Sequence, residues 1–452
     1  MRGALFLSLG LALAACAPAP PPVSSRAPVD LSLQSPEISS RVLFGAPRPF
    51  PPQRSNAQIA EDIIALGFRL ESGREIPRFS RFEGPVGLRL TGAVPPLGAV
   101  ETDRLIARLR DEARIDIRRG EADNQIIVEF VPRADMRRMV PEAACFILPN
   151  VASWDEFRAN PRGQHLDWTQ VVQREKVLVV APSDSTVQEM RDCLHEEVAQ
   201  ALGPLNDLFR IGESVMNDDN FQTALTGYDM LVVRVWNDPA LQLGMSAEEV
   251  AERLPAILAR LNPRGARPGP PLDPTPTPRA WTEAVESALG APDRRRAFTL
   301  AQEALGIATR QSWEDERMAF SLFLAARFAP DSEGRRALEA LTQAAQIYNR
   351  RPGGQVPRAH VEMHLAAQAL ASQQYDLVLA LTQNAMPQAE RTENGVLLST
   401  LMLLRAQALE RMGRTAEADR LRREAVPYAV FGFGSMEAAE DRREEIAALV
   451  RP

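Results

Sequence analysis

Between residues 280 and 452 the chain repeats itself at a forty-residue interval. Leu341-Thr342-Gln343-Ala344-Ala345 returns as Leu381-Thr382-Gln383-Asn384-Ala385 and, more loosely, as Leu421-Arg422-Arg423-Glu424-Ala425. Ala326, Ala366 and Ala406 recur at the same spacing, and Leu300-Ala301-Gln302-Glu303-Ala304 fits as an earlier copy one residue out of step. A fixed period of roughly 20–50 residues means stacked supersecondary units, because one unit cannot bury its apolar face alone. Strand signals are almost missing here, and small residues recur where helices would cross. The segment therefore predicts an array of helical hairpins, with an unspecific helical bundle as the alternative. Hairpin arrays present a concave groove, so the partner expected on this part is a protein or peptide segment.

The rest of the chain obeys different rules. With 452 residues, 45% of them apolar and 25% charged, it is long enough for two folded domains. A net charge of -7 gives no nucleic-acid footprint, and no Lys/Arg run suggests one. Residues 1–16 read as a targeting segment: Arg2 gives a positive start, and the apolar run Ala4 to Ala15 is too short to span a bilayer. Leu13-Ala14-Ala15-Cys16 resembles a bacterial lipobox, which implies lipidation of Cys16. Ala17 after that cysteine resembles the outer-membrane sorting pattern rather than inner-membrane retention. The expectation is a protein anchored by lipid to the cell envelope at its periplasmic face. No later segment is long and apolar enough to span a membrane. Residues 17–54, rich in Pro and Ser, read as a tether.

Export also changes how the cysteines are read. With Cys16 lipidated, Cys145 and Cys193 remain, and two thiols in an oxidising compartment read as one disulfide. Two separate buried thiols are the alternative.

Residues 55–261 mix strands and helices. Ser55 or Asn56 caps a helix to about Leu66, with Gln58 as capping-box partner. Phe68-Arg69-Leu70 and Gly73 suggest a small hairpin. Strands are expected at Gly87–Leu90, at Ile115 and Ile117, at Gln125–Val131 and at Lys176–Ala181, with a helix over Thr102–Ala113. A long helix from Ser185 carries Cys193-Leu194-His195-Glu196-Glu197-Val198-Ala199-Gln200-Ala201-Leu202-Gly203 and leaves through Pro204-Leu205-Asn206-Asp207. Residues 262–279, with their run of Pro and Gly, read as a linker.

The long helix and its exit resemble the zincin framework, and the metzincin branch in particular. That pattern is His-Glu-x-x-His-x-x-Gly-x-x-His/Asp, with two His ligands on one helix face, a Glu that activates water and a turn glycine. The resemblance puts Glu196 and Gln200 in the two helical ligand places and Glu197 in the general-base place. Gly203 takes the turn glycine and Asn206 the third ligand place, or Asp207 after a one-residue shift. Ser214-Val215-Met216-Asn217 resembles the Met-turn, with Met216 as its methionine, and Leu225-Thr226-Gly227-Tyr228-Asp229 to Val235 the closing helix. Over about residues 55–265 the chain also resembles an uncharacterised bacterial envelope family, domain of unknown function 2927. For the repeats, Gly413, Ala418, Ala425 and Tyr375 resemble tetratricopeptide hairpins, although the period is longer than usual and large aromatics are few. The fold expected is an α+β metzincin-like domain followed by an all-α, tetratricopeptide-like domain.

The ligand types argue against the usual zinc chemistry. Zinc prefers His nitrogen and Cys sulfur, whereas Glu196, Gln200 and Asn206 offer only oxygen, which suits a harder ion if any. Only four His are present. His195 is about a hundred degrees round the helix from Glu196 and does not share a face with Gln200. His165 is a candidate nitrogen ligand from another loop, read first as an ordinary histidine. His360 and His364, four apart around Glu362, are two ligands and not a site. Asp218-Asp219-Asn220 reads as a polar turn rather than a calcium loop. Arg264-Gly265-Ala266 lacks the strand and helix that a phosphate loop needs, and no organic cofactor is suggested. The leading expectation is a degenerate, non-catalytic site in a binding or scaffold protein. The alternative is a divergent metal-dependent peptidase using Glu197 as general base.

Overall fold

The structure is a computed structural model and describes residues 38–141, 143–269, 272 and 276–450. The lipobox, Cys16 and most of the expected tether lie outside those residues.

The first unit begins with α1 (Ser40–Phe44) and α2 (Asn56–Gly67). Ser55 caps α2 and forms the expected capping box with Gln58. Then follow β1 (Arg81–Phe82), β2 (Val86–Gly92), α3 (Gly98–Asp111), β3 (Ile117–Arg119) and β4 (Asn124–Val131). Next come α4 (Arg133–Met139), β5 (Phe146–Pro149), α5 (Trp154–Ala159), β6 (Gln173–Arg174) and β7 (Lys176–Pro182). The motif helix α6 (Val187–Leu202), α7 (Gly227–Trp236) and α8 (Ala247–Leu261) complete the unit.

Five strands form one sheet in the order β3-β2-β4-β7-β5, parallel except for β5, which runs antiparallel at the edge. Alternation sorts the side chains of the central strands. Ile126, Val128 and Phe130 of β4 and Val177, Val179 and Ala181 of β7 join the main core, packed with residues of α2, α3, α6, α7 and α8. Ile127, Val131, Leu178 and Val180 point to the other face, against Met136, Trp154 and Phe157 of α4 and α5. Helices on both faces explain why β7 is apolar from Val177 to Pro182.

The second unit is all helical, and its helices come in pairs: α9 (Arg279–Leu289) with α10 (Arg294–Arg310), α11 (Glu316–Phe328) with α12 (Gly334–Arg350), α13 (Gln355–Ala371) with α14 (Tyr375–Arg391), and α15 (Gly395–Arg411) with α16 (Thr415–Phe433). Helix α17 (Met436–Ala448) closes the array. The recurring Ala326, Ala366 and Ala406 are all buried, on α11, α13 and α15. That is where a forty-residue repeat of small residues lets successive hairpins approach.

The two units share a core. Phe209 and Phe221 of the first insert among Trp281, Phe320 and Phe323 of the second, in edge-to-face and tilted contacts. Residues 39–54, expected as tether, are docked instead. Ser40 donates its backbone N–H and its hydroxyl to the Glu101 carboxylate at 2.8 and 2.5 Å. Phe44 packs on Tyr428 and Phe431 of α16. Arg54 is buried among Asp62 of α2, Glu213, and Glu316 of α11. Composition reads Pro and Ser as solvated, but two aromatics and a buried arginine give this segment something to bury. Among the described residues no helix is long and apolar enough to cross a membrane.

Candidate functional site

The site is built at the C-terminal half of α6. Thr186 caps that helix with Glu189 in a capping box, one residue beyond the start expected at Ser185. At its other end the buried Arg174 guanidinium donates to the Gln200 and Ala201 carbonyls at 2.9 and 2.8 Å, satisfying groups that a helix end leaves without partners. Cys145, just before β5, and Cys193 on α6 bring their sulfurs 2.15 Å apart, at disulfide distance, with Cα atoms 5.9 Å apart. The antiparallel edge strand is thereby fastened to the motif helix.

Gly203 ends α6 with φ -133°, outside the left-handed region. Crowding favours glycine there: a Cβ would stand 3.0 Å from the Ala199 carbonyl oxygen, which would have to give by a few tenths of an ångström, and 3.5 Å from a Val233 methyl. Beyond it the chain crosses the end of α2. The N–H groups of Leu205 and Asn206 both donate to the Leu66 carbonyl, and the Asn206 side-chain amide donates to the Ala65 carbonyl at 3.0 Å. Asn206 therefore closes α2 and does not face α6. Asp207 does: its Oδ2 accepts from the Gln200 amide at 2.7 Å. Asp207, not Asn206, is the residue beside Gln200.

Glu196, Asp207 and Asp218 each present a carboxylate oxygen, all within 4.8 Å of one another. Asp218 arrives from the loop after Met216 with φ +52°, so the expected polar turn at 218–220 is divided. Asp218 faces the cluster, while Asp219 turns inward and accepts the Phe221 N–H at 2.9 Å. Glu71, at the tip of the small hairpin bridged between Arg69 and Glu75, is a further member that the sequence did not single out. Its carboxyl and that of Asp207 are hydrogen-bonded to one another. Burial and the charges of Asp218, Glu71 and Glu196 push Asp207 well above the usual carboxylate range. Burial first, then Glu71 and Asp218, does the same to Glu197.

Met216 lies fully buried in the main core beside this site, and its carbonyl accepts the Leu208 N–H at 3.1 Å. The turn is held by Asp229, in the first turn of α7. One carboxylate oxygen accepts the Ser214 hydroxyl at 2.6 Å and the Val215 N–H at 3.3 Å, and the other accepts the Thr226 N–H at 2.7 Å.

The histidines are elsewhere. His195 accepts the Leu225 N–H on Nδ1 at 2.9 Å, inside the core, and burial keeps it neutral with its pKa well below the usual value. His165 is exposed on a surface turn and is not brought to the cluster. His360 and His364 line a cleft between the two units, stacked on Phe221 and edge-on to Phe323 respectively. Glu362 pairs with Arg358 at 3.4 Å. Arg264 and Gly265 form a short helical turn after α8.

Zinc does not fit the donor set. Cys145, whose sulfur lies near the Glu196 and Glu197 carboxylates, is engaged with Cys193, and among the described residues no histidine joins the group.

Residues 56–256 match a family model described as Protein of unknown function (DUF2927). The match starts with the first residue of α2 and ends within α8, so the DUF2927 segment contains the whole five-stranded sheet, the motif helix and every member of the acidic cluster. No curated protein and no solved structure matches the chain.

Proposed function

We propose that the chain is a lipid-anchored protein of the bacterial cell envelope that works by binding, not by hydrolysis. In this reading residues 55–261 keep a metzincin-like framework whose zinc site has degenerated, and the helical hairpins form a tetratricopeptide-like module that holds a protein or peptide partner. Cys16 carries the lipid, and the residue after it favours the outer membrane, with the folded part on the periplasmic side. The observation that carries the reading is the fate of the ligand places. Glu196 and Asp207 hold oxygen, Gln200 gives its amide hydrogen to Asp207, Asn206 is turned onto α2, and the neighbouring His195 is locked in the core. These places offer carboxylate oxygen and no imidazole, which is a poor donor set for zinc.

The alternative, a divergent peptidase with Glu197 as general base, draws support from the position of that carboxyl, buried beside the cluster. Glu197→Gln separates the two. The amide keeps the size and loses the base, so a cell carrying it in place of the natural chain should behave as one carrying the natural chain. Loss of the cellular role at an unchanged melting temperature, or near-stoichiometric zinc in the purified protein, overturns the binding reading. For the anchor, Cys16→Ala should leave an unprocessed precursor. Normal maturation and membrane fractionation of that variant rule the lipid out.

A further inference from the structure

We infer that residues 38–50 are a built-in peptide ligand. They form a releasable strap in a channel along the seam between the two units, and an extended peptide of the same chemistry binds there once the strap is off. The inference rests on the binding reading in one respect, that the ligand is a peptide, and it says where that peptide goes.

Three observations carry it. The first is the path of the segment, whose contacts go to both units. Ser40 donates to Glu101 of α3. Phe44 packs on Tyr428 and Phe431 of α16, with ring centroids 5.4 and 5.8 Å away. The Arg391 guanidinium of α14 stands 3.7 Å from the centre of the Phe50 ring. The Phe50 carbonyl accepts the Gly227 N–H of α7 at 3.2 Å. Arg104 of α3 ties the walls and the strap together, donating to Glu393 at 2.7 Å and to the Gly45 carbonyl at 2.9 Å. The seam thus offers a carboxylate to a hydroxyl residue, an aromatic pair to one ring and a cation to the face of a second ring.

The second is the shape of the wall. Gly227 opens α7, and a Cβ there would run into the Phe50 carbonyl and stand 3.4 Å from the Pro51 Cα. Main chain approaches main chain this closely where one side carries no side chain. Position 227 is therefore fitted to receive extended backbone.

The third is how lightly the strap is held. Apart from Ser39 and Ser40, residues 38–50 are half-buried or exposed, and Val42 is 76% exposed. Helix α1 has five residues and no side-chain cap, too short to persist alone in water. A segment with so few buried apolar contacts opens at a small part of the global unfolding free energy. The units stay joined without it, through Phe209 and Phe221 among Trp281 and Phe320 and through Arg54. Arg54 is the fixed end on which the strap turns. Attached there, the strap meets its channel at an effective concentration on the order of millimolar, which keeps a free peptide out.

The test uses the full chain and a fluorescent peptide with the sequence of residues 38–51, followed by anisotropy. Phe44→Asp puts a carboxylate between the Tyr428 and Phe431 rings and alters the strap alone. Tryptic cleavage after Arg41 should speed up while the melting temperature stays unchanged. The variant should bind the peptide at least about tenfold more tightly than the natural chain, whose channel is free only for the fraction of time the strap is off. A peptide carrying the same Phe44→Asp change should not bind. Adding Gly227→Ala to the released chain should abolish binding, because the new methyl takes the place of the Phe50 carbonyl, while alanine suits a helix at least as well as glycine. Should Phe44→Asp lose its melting transition, Phe44→Ala removes the ring without adding charge and serves as the released chain. Unchanged cleavage in the released chain overturns the inference. So does equal peptide binding to natural and released chains, no binding to the released chain, or binding that survives Gly227→Ala. Each of these leaves the binding reading standing, since that reading falls on Glu197→Gln or on zinc content, so the two failures are distinguishable.

Discussion

Replacing Arg54 by Met should uncouple the two units. The Arg54 guanidinium is 1% exposed and lies 3.3 Å from Asp62, 3.4 Å from Glu316 and 3.9 Å from Glu213. Burial acts against its charge, but the surrounding carboxylates, Asp62 foremost, more than offset that and hold it protonated. Removing one partner of a buried charge pair costs roughly 3–5 kcal/mol, because the remaining charge is left uncompensated. Here each acid keeps something. Asp62 retains Arg210 and the Tyr228 hydroxyl, Glu316 retains Arg351 at 3.1 Å, and Glu213 retains the N–H groups of residues 53 and 54. The lower end, about 3 kcal/mol, is therefore expected. Methionine fills most of the arginine volume, which keeps a cavity from adding to the loss.

The deficit should also depend on pH. Burial raises Glu213 to about 7, and Arg54 opposes that rise. A carboxyl raised above its unfolded value holds a proton in the folded state that the unfolded chain releases, so stability falls as pH climbs from about 4.5 toward 7. Without Arg54 the folded value moves further up and the fall continues to higher pH. The loss caused by Arg54→Met should thus be larger at pH 8 than at pH 5. Urea unfolding followed by tryptophan fluorescence measures both, and separate transitions for the two units are expected in the variant at high pH. A loss under about 1 kcal/mol, or one independent of pH, would refute the view that this cation couples the units.

Cys193→Ser removes the link to Cys145, 48 residues away; the chain-entropy model gives about 4 kcal/mol for a loop of that size, and urea midpoints measured with and without reductant should converge in the variant. Gly203→Val should cost about 1–3 kcal/mol through the clash with the Ala199 carbonyl. Gly203→Ala adds the same Cβ and should carry part of that loss, so a Gly203→Ala variant as stable as the natural chain would refute the crowding explanation. In the natural chain Asp229, raised to about 6 by burial, adds to the Glu213 effect, so stability should decline between about pH 4 and 7 by up to roughly 3 kcal/mol for each group. Asp229→Asn should remove its share of that slope, and an unaltered slope would count against the assignment.

Legibility in the sequence followed the locality of the forces. Helix α2 is specified by Ser55 and Gln58 three residues apart, and α7 by Thr226 and Asp229 in the same relation. Strands β4 and β7 carry enough β-branched residues to be read without their neighbours. The forty-residue period fixed the hairpins because each one buries itself against a near copy. Elements held only from a distance were missed. Strands β1 and β6 are two residues each and exist through one another across about ninety positions. Helix α1 has five residues and depends on Glu101 and on Phe44 meeting Tyr428 and Phe431. Glu71 and Glu393 were invisible for the same reason. Glu393 takes a salt bridge from Arg104 at 2.7 Å and another from Arg191 at 3.0 Å, both from the other unit.

The candidate site divides along the same line. Spacing on one helix put Glu196, Glu197 and Gln200 in register, since a helix fixes which residues share a face. It could not decide between Asn206 and Asp207, because the exit turn has no period of its own. That choice is made by α2. Its last turn leaves the carbonyls of Ala65 and Leu66 without helical partners, and the Asn206 side chain and the N–H groups of Leu205 and Asn206 satisfy them. Once Asn206 is committed to α2, Asp207 is the residue left facing α6. An amide suits position 206 because it can donate to a carbonyl, which a carboxylate cannot. A carboxylate suits position 207 because it can accept from Gln200. Exchanging the two residues should therefore cost the contact at 206, where a carboxylate cannot donate to the Ala65 carbonyl, and spare the one at 207, where an amide oxygen still accepts from Gln200. That difference distinguishes a site shaped by the capping of a neighbouring helix from one whose polar residues are interchangeable.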